Sequence, residues 1–553
     1  MLRMFGRALL LAAAAAAAAD DVDLAVVHRI KAEAFRNSQV MDHLFALTDA
    51  NGPRLTASPG FQAAADWAVA RLSGFGLANV RQETWGRFGR SWSLRRFSAH
   101  MTAPTYAPLL GMPKAWCSGT NGPTSGDVVA APLFESWEDG DREDLAKLKA
   151  RIARFIEQQR GKLAGKVVLI EPVRELPLPT EPASRRLDEA KLAELSMAPE
   201  PFKPPVIERP LARLPADPKR REELLASLPD ELDEEYYGLQ VAATAQLNGF
   251  LRSEGAVAVL ATDRRGSGGI LFSEEAGAWQ AGAPVPPPTI VLPPEPYARL
   301  YRLVERKLPA RVEVDMAVDF PEDERDGVNV VAELPGGARK DELVMLGAHL
   351  DSWHTGTGAT DNAAGCAVVI EAMRILKALG LPLARSVRLA LWSGEEQALF
   401  GSRAYVKQHF GDPNSMLLKP EHAKLSAYFN LDNGTGRIRG VYLQGNDMAR
   451  PIFEAWLAPF RDLGATAVSI RDTGGTDHLS FDAVGLPGFQ FIQDPLDYET
   501  RTHHSNLDVY DHLQASDLMQ ASAVLASFVY NAATRPAMLP RKPLPSPLPK
   551  PRE

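Results

Sequence analysis

The segment Gly347-Ala348-His349-Leu350-Asp351, followed after a short loop by Gly358-Ala359-Thr360-Asp361-Asn362-Ala363-Ala364-Gly365, decides how this chain reads. An apolar run, 342–346, leads into it, and a helix of small residues leaves it from Ala363. His349 and Asp361 therefore stand at a strand end and at a helix start. Such a junction delivers an imidazole and a carboxylate to one point, and a carboxylate there is able to bridge two metal ions.

Working outward, the same arrangement recurs. Residues 328–334, 387–392, 425–431 and 488–492 read as further strands, and 363–379, 399–410, 448–463 and 513–533 as helices. The alternation predicts an α/β fold with a mostly parallel, mixed sheet and helices on both faces. In such sheets functional groups collect at the C-terminal strand ends. Glu395-Glu396, Asp432 and His503-His504 all fall at such places.

Two adjacent zinc ions each take about four N or O donors at roughly 2.0–2.2 Å and lie about 3.5–4 Å apart. His349, Asp361, Glu396, Asp432 and His504 offer one bridge, one His per metal and one further carboxylate per metal. So many carboxylates at one place are unstable without a cation. Asp351 is expected to take the second N–H of His349, and Asp508 that of His504. Glu395 is expected to act as general base on the metal-bound water, with Glu396 as the ligand. Each residue alone has an ordinary reading: a satisfied His, a Glu pair at a helix N-terminus, an Asp opening a turn. Their joint occurrence in order outweighs these. His503 is the alternative to His504 as ligand.

At these residues the chain resembles the zinc-dependent exopeptidases that include carboxypeptidase Q and the two-zinc bacterial leucine aminopeptidases. The likeness rests on Gly52-Pro53-Arg54-Leu55-Thr56, His349-Leu350-Asp351, the Asp361 loop and Trp392-Ser393-Gly394-Glu395-Glu396. It continues through Asn430-Leu431-Asp432, Gly475-Thr476-Asp477-His478 and His504-Ser505-Asn506-Leu507-Asp508. The resemblance implies two Zn2+ per chain: Asp361 bridges, His349 and Asp432 complete one site, and Glu396 and His504 the other. It also implies Glu395 as the base and a smaller inserted α/β domain of the protease-associated kind. Asn362 departs from the second Asp of many members. His503 stands where some aminopeptidases carry a carbonyl-polarising Tyr.

The organisation expected is a signal peptide at 1–19, peptidase parts at 20–115 and 323–535, and the inserted domain at 116–322. A charged, Pro-rich, partly flexible insertion is expected at about 175–234, and a disordered tail at 536–553. The Ala-rich run at 8–19 reads as the apolar core of an export signal, too short for the roughly 20 residues of a membrane span. Export places the chain in the periplasm or outside the cell. Cys117 and Cys366 are the only cysteines and make no disulfide framework. The net charge of −8 speaks against nucleic acid or an anionic membrane as partner.

The expected substrate is a short peptide; the pattern leaves a homodimer open. His503, Asp494, Tyr498 and Arg501 are the candidate substrate residues. An acid among them favours a substrate amine, and Arg501 a carboxylate. Two other readings carry distinct signatures. A non-catalytic receptor on the same fold should lack a ligand or the base. A glutaminyl cyclase-like acyltransferase typically uses one zinc.

Overall fold

A computed structural model of the chain describes residues 20–137, 142, 144–200 and 230–547, with the backbone alone for 230–237. The expected signal segment and residues 201–229 of the expected insertion lie outside the described residues.

The first sheet has eight strands, in the order Ala78–Arg90, Glu324–Leu334, Arg385–Trp392, Arg339–His349, Leu425–Asn430, Gly488–Gln493, Ile438–Tyr442 and Ala467–Ser469. Its four central strands, from Arg385–Trp392 to Gly488–Gln493, run parallel; antiparallel pairs flank them. Side chains alternate along the His349 strand. Val344, Leu346 and Ala348 face one apolar core, and Leu343 and Met345 face another. Helices Leu24–Arg36, Ala364–Ala378 and Ala515–Thr534 cover the first face. Helices Phe400–His409 and His478–Asp482 contribute Tyr405 and Phe481 to the second. The parallel register aligns His349 with Trp392, and Gly347 with Asn430. The loops carrying Glu395 and Asp432 therefore leave the sheet beside His349.

A second eight-stranded sheet interrupts the first. Its order is Ala107–Pro108, Ser93–Ala103, Arg311–Asp319, Thr124–Ala130, Lys166–Leu169, Ala258–Ala261, Thr289–Val291 and Met112–Pro113. Helices Leu145–Gln159 and Asp230–Ser253 pack on one face, and Pro294–Glu305 on the other. This unit begins at Ser93, earlier than the expected boundary at 116, because the strand Ser93–Ala103 pairs with Arg311–Asp319.

Three further expectations are corrected. The insertion is fastened over part of its described length: Asp188 caps the helix Glu189–Ser196, and Leu192 and Leu195 pack against Ala467 and Ile492. The tail is docked through Lys542, and residues 548–553 of it lie outside the described residues. Leu539 is buried, Asn446 donates to the Pro540 carbonyl at 2.7 Å, and Arg541 donates to the Leu425 carbonyl at 2.6 Å. A Pro-rich strap offers many carbonyls and few N–H groups, so side-chain donors fasten it. The expected helix 448–463 divides into Arg450–Leu457 and a 3-10 turn, Ala458–Leu463, because Pro459 withdraws a backbone donor.

Candidate metal centre

Arg54 builds the loop between His349 and Asp361. It is fully buried, and its guanidinium donates to the carbonyls of Leu350, Leu47, Thr357 and Gly358 at 2.6–2.8 Å. The loop's backbone acceptors are thereby satisfied away from water. Gly358 has φ +68°, and a Cβ there would lie 2.4 Å from the Ser352 side chain. Thr56, from the same N-terminal segment, donates to Asp351 Oδ2 at 2.9 Å.

The supports of the two histidines differ from those expected. His349 Nδ1 lies 3.0 Å from the backbone carbonyl of Asp351, whereas the Asp351 carboxylate is 3.7 Å away. That carboxylate accepts the N–H groups of Glu395 and Glu396, at 3.4 and 3.3 Å. Asp351 thus positions the acid pair rather than the imidazole. Asp508 does not reach His504 either. It accepts from Thr360 N at 2.5 Å, Thr360 Oγ1 at 2.9 Å and Asp361 N at 3.3 Å, and so holds the Asp361 loop. The carboxylate on His504 Nδ1 is Glu274 of the second sheet's domain, at 2.8 Å. Glu274 lies about 230 positions away in sequence, so no motif or local spacing signals it.

Glu395 and Glu396 occupy a turn before the helix Phe400–His409, not a helix start. Glu396 Oε1 accepts the Trp353 N–H at 3.2 Å, leaving Oε2 3.0 Å from His504 Nε2. Asn362, the departure from the family pattern, is a structural tie: it donates to the Leu431 carbonyl at 3.0 Å and accepts the Gly365 N–H at 2.9 Å.

The five candidate ligands converge. His349 Nε2 is 3.2 Å from Asp361 Oδ1 and 3.3 Å from Asp432 Oδ1. His504 Nε2 is 3.3 Å from Asp361 Oδ2. Donors about 2.0–2.1 Å from a tetrahedral zinc stand about 3.3 Å from one another, so these separations are those of coordination edges. Asp361 turns one oxygen to each histidine, as a bridge requires. Asp361 Oδ2 and Asp432 Oδ1 are buried without a hydrogen-bond partner among the described residues. A cation fits them. His503 Nε2 is farther from Asp361 Oδ2, at 3.7 Å, and its side chain is 31% exposed. Geometry therefore favours His504, although His503 is also within ligand reach.

The charges agree. Burial first, then the repulsion of Asp361, pushes the Glu396 carboxyl up to about 7. Burial likewise raises Asp477 to about 7, with Asp432 and Asp351 adding to it. Burial and the neighbouring acids Asp432, Asp477 and Glu396 hold Glu395 well above the ordinary glutamate range. Burial alone would lower His349 and His504, yet the acids around each raise them well above the usual value. Divalent cations would relieve this excess of negative charge.

The ligands open onto a cleft of about 430 Å3 lined by Asp361, Glu395, Asp432, Gly475, Thr476, Tyr498, Glu499 and His503, among others. Tyr498 and His503 thus lie where a substrate would. Asp494 does not. It is fully buried, paired with Arg186 at 2.8 Å and Arg439 at 2.9 Å, and it fastens the insertion to the sheet. Arg501 is exposed and outside the cleft lining. Its place beside His503 in sequence misled, because the 498–502 turn faces Tyr498 inward and Arg501 outward.

Residues 329–529, which include all five candidate ligands and Glu395, match the model of Peptidase family M28. Carboxypeptidase Q of Rattus norvegicus is 34% identical over 216 residues, 39% of this chain and 43% of that protein. The chain thus matches about half or less of the length of that relative. A peptidase M28 precursor from Shewanella amazonensis SB2B has a crystal structure with TM-score 0.62 at 23% identity, covering 94% of this chain and 98% of that one. A zinc aminopeptidase from Bacillus subtilis gives 0.51 at 18% identity over 91% and 96% of the two chains. These structures share the mixed α/β fold.

Proposed function

We propose, on the premise that residues 329–529 belong to peptidase family M28, that this chain is an exported two-zinc exopeptidase acting on short peptides. The observation that carries the reading is Asp361, whose two oxygens each face a different histidine with its own carboxylate. The full set of ligands and the base speaks against a non-catalytic receptor, and two sites sharing one bridge speak against a one-zinc acyltransferase.

Bound there, the zinc ions would polarise the scissile carbonyl and lower the pKa of the attacking water to about 7. The chain's own residues do the rest. Glu395 faces the cleft, held by the Asp351 clamp on its N–H, and takes the water's proton and hands it to the leaving amine. His503 and Tyr498, whose rings are 4.8 Å apart, stand beside the cleft as donors for the carbonyl oxygen.

We read the substrate as entering by its free amino end. The described cleft lining holds Glu499 and no Lys or Arg, so its fixed charge suits a substrate ammonium better than a carboxylate. The zinc aminopeptidase likeness agrees with this; the carboxypeptidase Q likeness favours the opposite end. Peptides acetylated at the amino end or amidated at the carboxyl end distinguish the two. Acetylated peptides should resist cleavage and amidated ones be cut; the reverse would refute this polarity. Glu395→Ala should keep near-normal zinc and lose at least about a hundredfold in kcat, whereas Glu396→Ala should lose one zinc. A fully active Glu395→Ala would remove Glu395 from the role of base.

A further inference from the structure

The second domain touches the loop between His349 and Asp361, through Pro113 and Ser273, and it meets a candidate ligand side chain at His504. Its segment 271–274 lies alongside 504–506 like an added strand. Phe272 bridges Ser505, Ser273 N donates to the His504 carbonyl at 3.3 Å, and Asn506 N donates to the Leu271 carbonyl at 3.2 Å. The Asn506 side chain returns the contact, accepting the Leu271 N–H at 2.9 Å. His504 has φ +65°, in the left-handed region that a bulky side chain rarely adopts. The clasp holds it there.

Glu274 completes the clasp from the side-chain end. Its Oε1 is 2.8 Å from His504 Nδ1 and 3.1 Å from Arg265 Nη2. Arg265 is itself fixed, by Asp263 at 3.1 Å and by the Phe272 ring, whose centroid is 4.3 Å from the guanidinium. Glu274 is thus a carboxylate aimed from another domain at the far nitrogen of a candidate ligand. His349 has no such dependence, because its Nδ1 meets a carbonyl of its own loop.

We propose that Glu274 is a positioning residue for His504, and that through it the second domain governs one of the two metal sites and not the other. Accepting the Nδ1–H fixes the tautomer that leaves the Nε2 lone pair pointing at Asp361 and Glu396, and it makes that nitrogen a stronger donor. Arg265 keeps the carboxylate on the imidazole. His349 and Asp432 leave strands of the first sheet, and neither is bonded to Glu274, whose side-chain partners are His504 and Arg265.

The inference rests on the two-zinc reading, so the test separates the two. Metal-free wild type, Glu274→Ala, Glu274→Gln and Arg265→Ala are titrated with zinc against a competing chelator, and with Co2+ by absorption. Circular dichroism and the thermal midpoint of each metal-free chain report its fold. The wild type should take up two metals. Glu274→Ala should keep one site at wild-type affinity and weaken the other about 10–100-fold, the range typical of support groups behind a ligand. Glu274→Gln retains an acceptor oxygen and should recover part of the loss, with Arg265→Ala also intermediate. Two sites of wild-type affinity in Glu274→Ala would overturn the proposal. So would an equal loss at both sites, or a Gln variant no better than Ala with a lowered metal-free midpoint. A wild type that binds no zinc would overturn the metal reading itself, and this inference with it.

Discussion

At the residue scale, the candidate ligands His349, Glu396 and Asp432 were legible because each ends or closely follows an apolar run, and the parallel register brings those ends together. The supports were not legible. A spacing of two residues points Asp351 at the His349 ring, but the loop folds so that the Asp351 carbonyl meets the imidazole and its carboxylate turns to Glu395 and Glu396. This reassignment has a consequence. Asp351→Asn places an amide donor against two backbone N–H donors and should loosen the acid pair. We expect kcat to fall about 10–100-fold, the range for such supports, with zinc content unchanged. Preferential loss of the His349 metal in that variant would restore the direct-support role. Asp494 teaches the converse. An acid near the last ligand in sequence reads as a substrate residue, yet its burial with Arg186 and Arg439 makes it a tie between segments.

At the element scale, the helix Ala364–Ala378 and the strand Leu425–Asn430 set the distance between Asp361 and Asp432. The helix meets the residue that follows this strand at Gly365, where a Cβ would lie 2.2 Å from the Leu431 carbonyl oxygen. Gly365→Ala must push the helix away from Leu431, which separates Asp361 and Asp432, the two carboxylates proposed to share a metal with His349. A loss of about 1–3 kcal/mol is expected from such overpacking, with a lower zinc content. Denaturant unfolding and metal analysis read both, and wild-type values in both would show that the approach is dispensable. Strands and helices with clear periods were legible in sequence. The division of the helix after Arg450 had a local signal in Pro459, whereas the early start of the second sheet and the docked tail had none, because the pairing of Ser93–Ala103 and the carbonyls of 535–540 act through distant partners.

At the scale of the whole molecule, the metal-free chain carries an electrostatic burden that pH exposes. Burial and neighbouring acids raise Glu396, Asp477 and Asp508 to about 7. His349 and His504 are raised by the acids facing them. The folded chain thus binds protons that the unfolded chain has released, and it loses stability as pH rises through about 7. His354 and His478, lowered to about 4 by burial, act in the opposite sense, but only below their ordinary value of 6.5. Between about pH 6.5 and 8 the metal-free thermal midpoint should therefore fall, and zinc should abolish the fall. A metal-free midpoint that rises over that window would contradict the charge balance drawn here. The central claim, a shared bridge between two ions, is tested most directly by anomalous scattering at the zinc edge from crystals of the zinc-loaded chain. Two peaks about 3.5–4 Å apart are predicted, one among His349, Asp361 and Asp432 and the other among Asp361, Glu396 and His504. A single peak, or a second one held by His503 in place of His504, would contradict it.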